Sequence, residues 1–161
     1  MTVVSSLWSV ASLGILVTDY RQLTSRSGTS PLAPTAIRSY RDLIAWQRSM
    51  DLVVASYRLA GRLPKDELYG LVSQVRRAAT SVPANIAEGQ GRHSTRQFLH
   101  FLGIANGSLL ELETHILTAQ RLDMVRENDG AECLRLSAEV GRILAGLARG
   151  LRRRAPLATG H

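Results

Sequence analysis

Cysteine is almost missing from this chain. Cys133 stands alone in 161 residues, which excludes an intramolecular disulfide and a cysteine-built zinc site. It falls on an apolar helical stripe and reads as a buried, inert thiol. Lysine is equally rare: Lys65 is the single exception among 20 basic residues that are otherwise arginine. Aromatic residues make up 5%, too few stacking platforms for sequence-specific reading of a single strand. No apolar run is long enough to cross a bilayer, which takes about 20 residues. The longest candidate, "LWSVASLGILV" (7–17), follows an uncharged "MTVVSS" and so lacks the positive flank of a signal peptide. With "TSRSGTSPLAP" (24–34) behind it, residues 1–37 read as a poorly ordered extension and linker.

Chemical motifs are missing as well. A di-metal bundle needs Glu-x-x-His on two of its helices, and that pattern never occurs; Glu111 and His115 stand four apart instead. "GQGR" (89–92) lacks the Gly-x-x-x-x-Gly-Lys of a phosphate loop and follows no strand. No Ser-His-Asp pattern accompanies His93 or Cys133. The expectation is a non-enzyme: no catalytic residue, no metal, no cofactor.

What is present is helical. The length allows one domain with a proper core, and the apolar 45% is dominated by Leu, Val, Ile and Ala, a mix that suits a bundle. The first pattern, about 41–63, sets Leu43, Trp46, Met50, Val53, Tyr57 and Ala60 in a heptad seam. The second, about 66–87, carries Leu68, Leu71, Val72, Val75, Ala79, Val82 and Ile86. The third opens on the capping-box pattern "STRQ" at Ser94 and repeats Phe98, Leu102, Ala105, Leu109, Leu112, Ile116 and Ala119 to about Leu122. Gly103 and Gly107, one turn apart, predict a close helix approach. The fourth, about 128–151, carries Cys133, Leu136, Val140, Ile143, Leu144, Leu147 and Leu151 on its apolar face. Connections this short predict an all-α, up-down-up-down antiparallel four-helix bundle over residues 38–151. Ile44, Val54, Leu59, Leu99, Leu110 and Leu117 lie off the main seams and predict self-association.

The stretch "SVPANIAEGQGR" (81–92) closes the second helix, with Pro83 inside the helical pattern and "EGQGRH" (88–93) ending it. Pro83 is expected to remove the bond to the Ala79 carbonyl and kink the helix. Asn85 and Glu88, three apart, are expected to hydrogen-bond a neighbouring helix or loop amides. Gly89 and Gly91 are expected to take positive φ and reverse the chain.

The net charge is +7 and it is uneven: Arg149, Arg152, Arg153 and Arg154 crowd the C-terminal end, with residues 152–161 read as a basic tail. Arg76 and Arg77 sit side by side on the second helix; Arg92 and Arg96 flank the following turn. These eight arginines are the candidate nucleic-acid contacts, since clustered basic charge attracts polyanions in a salt-dependent way.

"YRDLIAWQRSMDLVVASYRLAGRLPKDELYGLVSQVRRAATSVPANIAEGQGR", followed by "FLHFLGIANGSLLELETHILTAQRLDMV", resembles the small bacterial four-helix-bundle proteins also called 23S rRNA-intervening-sequence proteins. The resemblance covers about residues 38–146. It implies a homopentamer with a central pore and no known enzymatic activity. The same superfamily includes the accessory protein of diversity-generating retroelements, a basic pentamer that works with a reverse transcriptase and nucleic acid. The expected partners are therefore further copies of this chain, RNA or DNA, or a protein, in the cytoplasm and away from membrane.

Overall fold

The structure is a computed structural model that describes residues 38–154. The expectations for residues 1–37 and for the end of the tail, 155–161, lie outside the described residues. The compact unit begins at Tyr40. After a 3-10 turn, Tyr40–Asp42, come α1 (Ile44–Ala60), a second 3-10 turn (Lys65–Leu68), α2 (Leu71–Gly91), α3 (Thr95–Arg121) and α4 (Glu127–Arg154). The fold is all-α, with four α-helices and no strand among the described residues.

Each helix packs on two others: α1 and α3 both lie against α2 and α4. The core between them holds Leu52, Val75, Val82, Ile86, Leu112 and Ile116, all essentially sealed from solvent. Polar ties mark the register. Arg48 Nε of α1 donates to Glu139 of α4 at 2.9 Å, and Arg62, in the turn just past α1, pairs with Asp129 of α4. Arg77 pairs with Glu111, and Ser81 Oγ lies 2.8 Å from Ser108 Oγ, between α2 and α3. Ser137 Oγ donates to Glu113 at 2.6 Å, and Gly141 sits beside Leu109, between α3 and α4. In every set, residue numbers rise on one helix as they fall on the other.

The core face of α1 is not the predicted one. Leu43 and Ala60, at the two ends of the expected seam, are buried, but between them the buried residues are Ala45, Ser49, Leu52, Ser56 and Leu59, whereas Met50 and Tyr57 of the seam are exposed and Trp46 and Val53 only half-buried. The inward stripe is displaced by one residue, a rotation of about 100°. Small side chains occupy it because they allow α1 to lie close to its neighbours. The hydroxyls are silenced locally: Ser49 Oγ donates to the Trp46 carbonyl and Ser56 Oγ to that of Leu52, both at 2.7 Å. Leu59, predicted off the seam, is in the core.

The turns also differ from expectation. α2 runs through Pro83, which is buried, as the pattern predicts, but continues past the expected end near Ala87 to Gly91. Gly89 and Gly91 are helical; no described glycine has positive φ, and the reversals fall on His93 (φ 51°) and Asp123 (φ 54°). A left-handed non-glycine residue costs about 1–2 kcal/mol. We expect His93→Gly to raise the stability measured by urea unfolding by about 0.5 kcal/mol, after the entropy that glycine loses on folding; a decrease would show that the His93 side chain itself holds the turn. Beyond it, Ser94 caps α3 by accepting from the Gln97 N–H at 3.5 Å. A Cβ built on Gly103 or Gly107 meets nothing within 4 Å, so the close approach predicted there is not made among the described residues.

Candidate nucleic-acid interface

The pairing of α3 with α4 decides where the arginines gather. Gln120 donates to the Glu127 carbonyl, Gly130 lies beside Ile116, Glu113 meets Ser137, and Leu109 meets Gly141. Followed onward at 1.5 Å per residue, the last turn of α4 arrives at the first turn of α3. The last turn of α2 is there too, since only Arg92 to Ser94 separate the two helices. One end of the bundle therefore carries Arg92, Arg96, Arg149, Arg152 and Arg153, with Arg154 closing the same turn. α4 continues through Arg154, so these last three arginines ride on a helix rather than on a free tail. Leu151, buried among them, anchors that turn.

The residues of this end differ in how free they are. Arg96, Arg149, Arg152 and Arg153 are exposed, and no ion pair or hydrogen bond engages their guanidinium groups. Arg92 is held: it pairs with Glu88 and lies 5.4 Å from the Phe101 ring centroid. The C-terminal carbonyls of α2 and α4 point toward this end and favour the charges of Arg92, Arg149, Arg152 and Arg153, whereas Arg96 sits in the first turn of α3, whose dipole opposes it. Arg41 belongs to the same end, 5.6 Å over the Tyr40 ring, although its local sequence does not single it out. The available signal is its position just ahead of the first helix, which alternating helix directions would place here.

Arg76 and Arg77 do not join this group. They lie in the second turn of α2, far from this pole, and turn to different sides. Arg76 stacks 5.2 Å above the Tyr57 ring of α1. Arg77 pairs with Glu111 and bonds Gln74 Oε1 at 2.9 Å. Glu111 also lies 3.7 Å from His115 Nε2.

The polar side chains from Ser81 to Arg92 bond within α2 and across to α3. Asn85 Nδ2 donates to the Ser81 carbonyl (2.8 Å) and hydroxyl (3.0 Å) of its own helix, and Ser81 carries the link to Ser108 on α3. Glu88 faces Arg92 instead. The expected shared role of Asn85 and Glu88 is thus two separate roles. Thr80 Oγ1 donates to the Arg76 carbonyl at 2.9 Å, one turn ahead of Pro83. Gly89 is needed for a different reason from the one predicted: a Cβ there would lie 2.6 Å from Phe101 Cβ and 2.9 Å from Phe98 Cδ2.

Cys133 is buried, and burial pushes its thiol above the ordinary value, with Glu132 adding to the rise and Ser56 and Arg62 opposing it. Among the described residues no three His, Cys, Asp or Glu side chains come together as a metal site. No described helix is long and apolar enough to cross a membrane.

The family model described as 23S rRNA-intervening sequence protein matches residues 41–146. Among solved structures, a protein of unknown function from the S23 ribosomal protein family of Bacteroides thetaiotaomicron is similar at a TM-score of 0.61 and 21% identity, over 66% of this chain and 99% of that one. At that identity the likeness concerns the fold. No curated protein matches the chain.

Proposed function

The chain belongs to the 23S rRNA-intervening sequence protein family, and from that premise we propose that it is a non-enzymatic, homo-oligomeric, up-down-up-down bundle that holds RNA or DNA by the arginines at one end. The alternating topology is supported by the opposed numbering of the interhelical pairs. The observation that carries the nucleic-acid reading is the convergence of Arg96, Arg149, Arg152 and Arg153, exposed and unpaired, on one pole. Guanidinium groups suit phosphate geometry, and a homopentamer in the cytoplasm would repeat the pole five times around one axis. Poverty in exposed aromatics favours backbone contact over base reading.

Fluorescence anisotropy with single-stranded and duplex RNA and DNA tests this. Binding should weaken steeply with salt. Arg96→Gln with Arg149→Gln, Arg152→Gln and Arg153→Gln should flatten the log–log slope by about 0.7–0.9 for each phosphate no longer neutralised. Arg77→Gln should leave the slope unchanged. No anisotropy change in low salt at micromolar protein would overturn the reading. In that event the second reading gains: a scaffold for a protein partner, such as a reverse transcriptase, resting on exposed apolar side chains such as Tyr69, which is 92% exposed.

A further inference from the structure

The outer stripe of α1 and the flank of α2 beside it make a shallow apolar groove. Met50 (38% exposed) and Tyr57 (44%) stand out from the α1 stripe, with half-buried Trp46 and Val53 next to them. The stacking of Arg76 on Tyr57 turns this stripe toward α2. On α2, Thr80, Pro83 and Ala87 follow Arg76 at helical spacing and share its side. With the two helices running in opposite directions, Val53 falls opposite Thr80, Met50 opposite Pro83 and Trp46 opposite Ala87. From Trp46 to Tyr57 is about 17 Å at the helical rise, three turns of helix.

The groove holds one charge, and nothing in the chain answers it. Arg76 Nε is sealed from solvent with no acceptor, and no ion pair or hydrogen bond engages the rest of its guanidinium. Arg58, exposed at the rim beside Tyr57, is equally free. The surrounding charges are engaged elsewhere or cancel. Asp51 takes Arg48, Glu88 takes Arg92, and Arg77 turns to Glu111. Glu67 accepts from the Leu71 N–H at 3.0 Å. Lys65 and Asp66, in the turn that joins the two helices, are of opposite sign, as are Arg41 and Asp42 ahead of α1. The Tyr57 end is thus positive, and no acid faces it.

These features select among occupants. A nucleic acid would lay its phosphates against Met50 and Val53, which give a charged group nothing in exchange for water. An extended peptide would lose the water on its backbone amides against side chains that cannot replace it. A helix satisfies its own backbone and presents side chains alone. We infer that the groove docks an amphipathic α-helix of another protein, about three turns long, with acidic residues at one end of its apolar face. The apolar face covers Trp46, Met50 and Val53, whose thioether and aromatic members adapt to a partner's shape. A carboxylate takes the free N–H groups of Arg76, two at once where the fork allows it, with Arg58 beside it at the rim. Docking here needs none of the arginines at the pole, and it leaves Leu110 and Leu117 of α3 open for self-association.

The probe is a fluorescent synthetic helix of about a dozen residues, with leucines at every third and fourth position and two glutamates one turn apart at one end of that face. Its counterparts carry glutamine or lysine in place of glutamate. Anisotropy with the full chain should show the glutamate peptide binding about tenfold tighter than the glutamine peptide, and the lysine peptide weakest. Arg76→Gln, with circular dichroism unchanged, should erase the preference for glutamate; Arg58→Gln should reduce it. Met50→Gln should weaken every peptide, and Arg152→Gln none. Equal binding of the glutamate and glutamine peptides would overturn the acidic occupant. No binding of any peptide at hundreds of micromolar would overturn the docking site. A parent oligomer whose mass in light scattering falls on Met50→Gln would make the groove a contact between copies and overturn it too. Loss of RNA binding in Arg76→Gln would give the groove to nucleic acid, with the same result. Peptide binding that stands while RNA binding fails would leave this site intact and sink the arginine-pole reading alone.

Discussion

Leu52→Ala is expected to cost about 2–5 kcal/mol in unfolding free energy, the range for emptying a sealed core site, whereas Met50→Ala should cost under about 1 kcal/mol in the single-copy state. Two residues apart on α1, the pair asks which stripe faces inward. Leu52 is fully buried and Met50 is not. Truncating Leu52 leaves a cavity between α1 and its neighbours that Ala45 and Ala55, already small, cannot fill. Truncating Met50 removes a side chain that is 38% exposed and leaves no sealed cavity. Urea unfolding reads both. If the α1 stripe is a subunit surface, the Met50→Ala cost should grow with protein concentration, because oligomerisation adds to apparent stability by mass action, while the Leu52→Ala cost should not. A Met50→Ala cost equal to that of Leu52→Ala at every concentration would restore the seam expected from the sequence.

That seam shows where sequence reading succeeds and where it fails. The helices themselves are legible: the third is expected from Ser94 to about Leu122 and runs from Thr95 to Arg121, because a cap and a sustained apolar period mark it. On α3 the largest apolar residues of the seam are also the buried ones, so pattern and core coincide. On α1 two apolar stripes compete. The bulkier, Trp46, Met50, Val53 and Tyr57, wins on hydrophobicity, but the stripe built from Ala45, Ser49, Leu52, Ser56 and Leu59 wins in space, since its serines bond their own backbone and its small side chains allow close packing. Size alone cannot separate a core stripe from an outward one when both repeat every 3.5 residues. The arginine pole is partly legible for a related reason. Adjacency in sequence links Arg92 with Arg96, but only the register of α3 against α4 brings Arg149, Arg152 and Arg153 to them, while Arg76 and Arg77 stay in the second turn of α2, far from that pole.

The glycines of the Ser81–Arg92 stretch yield the last prediction, a pair of opposite sign two residues apart. Both are turn residues by sequence pattern, and both are helical in the fold. In a helix interior, Gly→Ala gains up to about 1 kcal/mol from propensity when nothing obstructs the new methyl group. Gly91 meets that condition, with nothing within 4 Å of its Cβ position. Gly91→Ala should therefore stabilise, by a few tenths to about 1 kcal/mol given its place in the last turn. At Gly89 the same methyl group would lie 2.6 Å from Phe101 Cβ. That atom is bonded directly to the α3 backbone, so no rotamer change removes it; α3 must move off α2, or α2 must bend. The second obstacle, Phe98 Cδ2 at 2.9 Å, belongs to a ring that closes the core at this end. Overpacking of this kind costs about 1–3 kcal/mol, which exceeds the propensity gain. Gly89→Ala should lower stability by about 1–2 kcal/mol net and the melting temperature by about 5 °C, with Gly89→Val worse. Thermal melts followed by circular dichroism measure both signs at once. A Gly89→Ala variant as stable as Gly91→Ala would mean that α2 and α3 do not approach as closely as their contact here requires, and the arginine end that this contact holds together would have to be rebuilt with a wider spacing between Arg92 and Arg96.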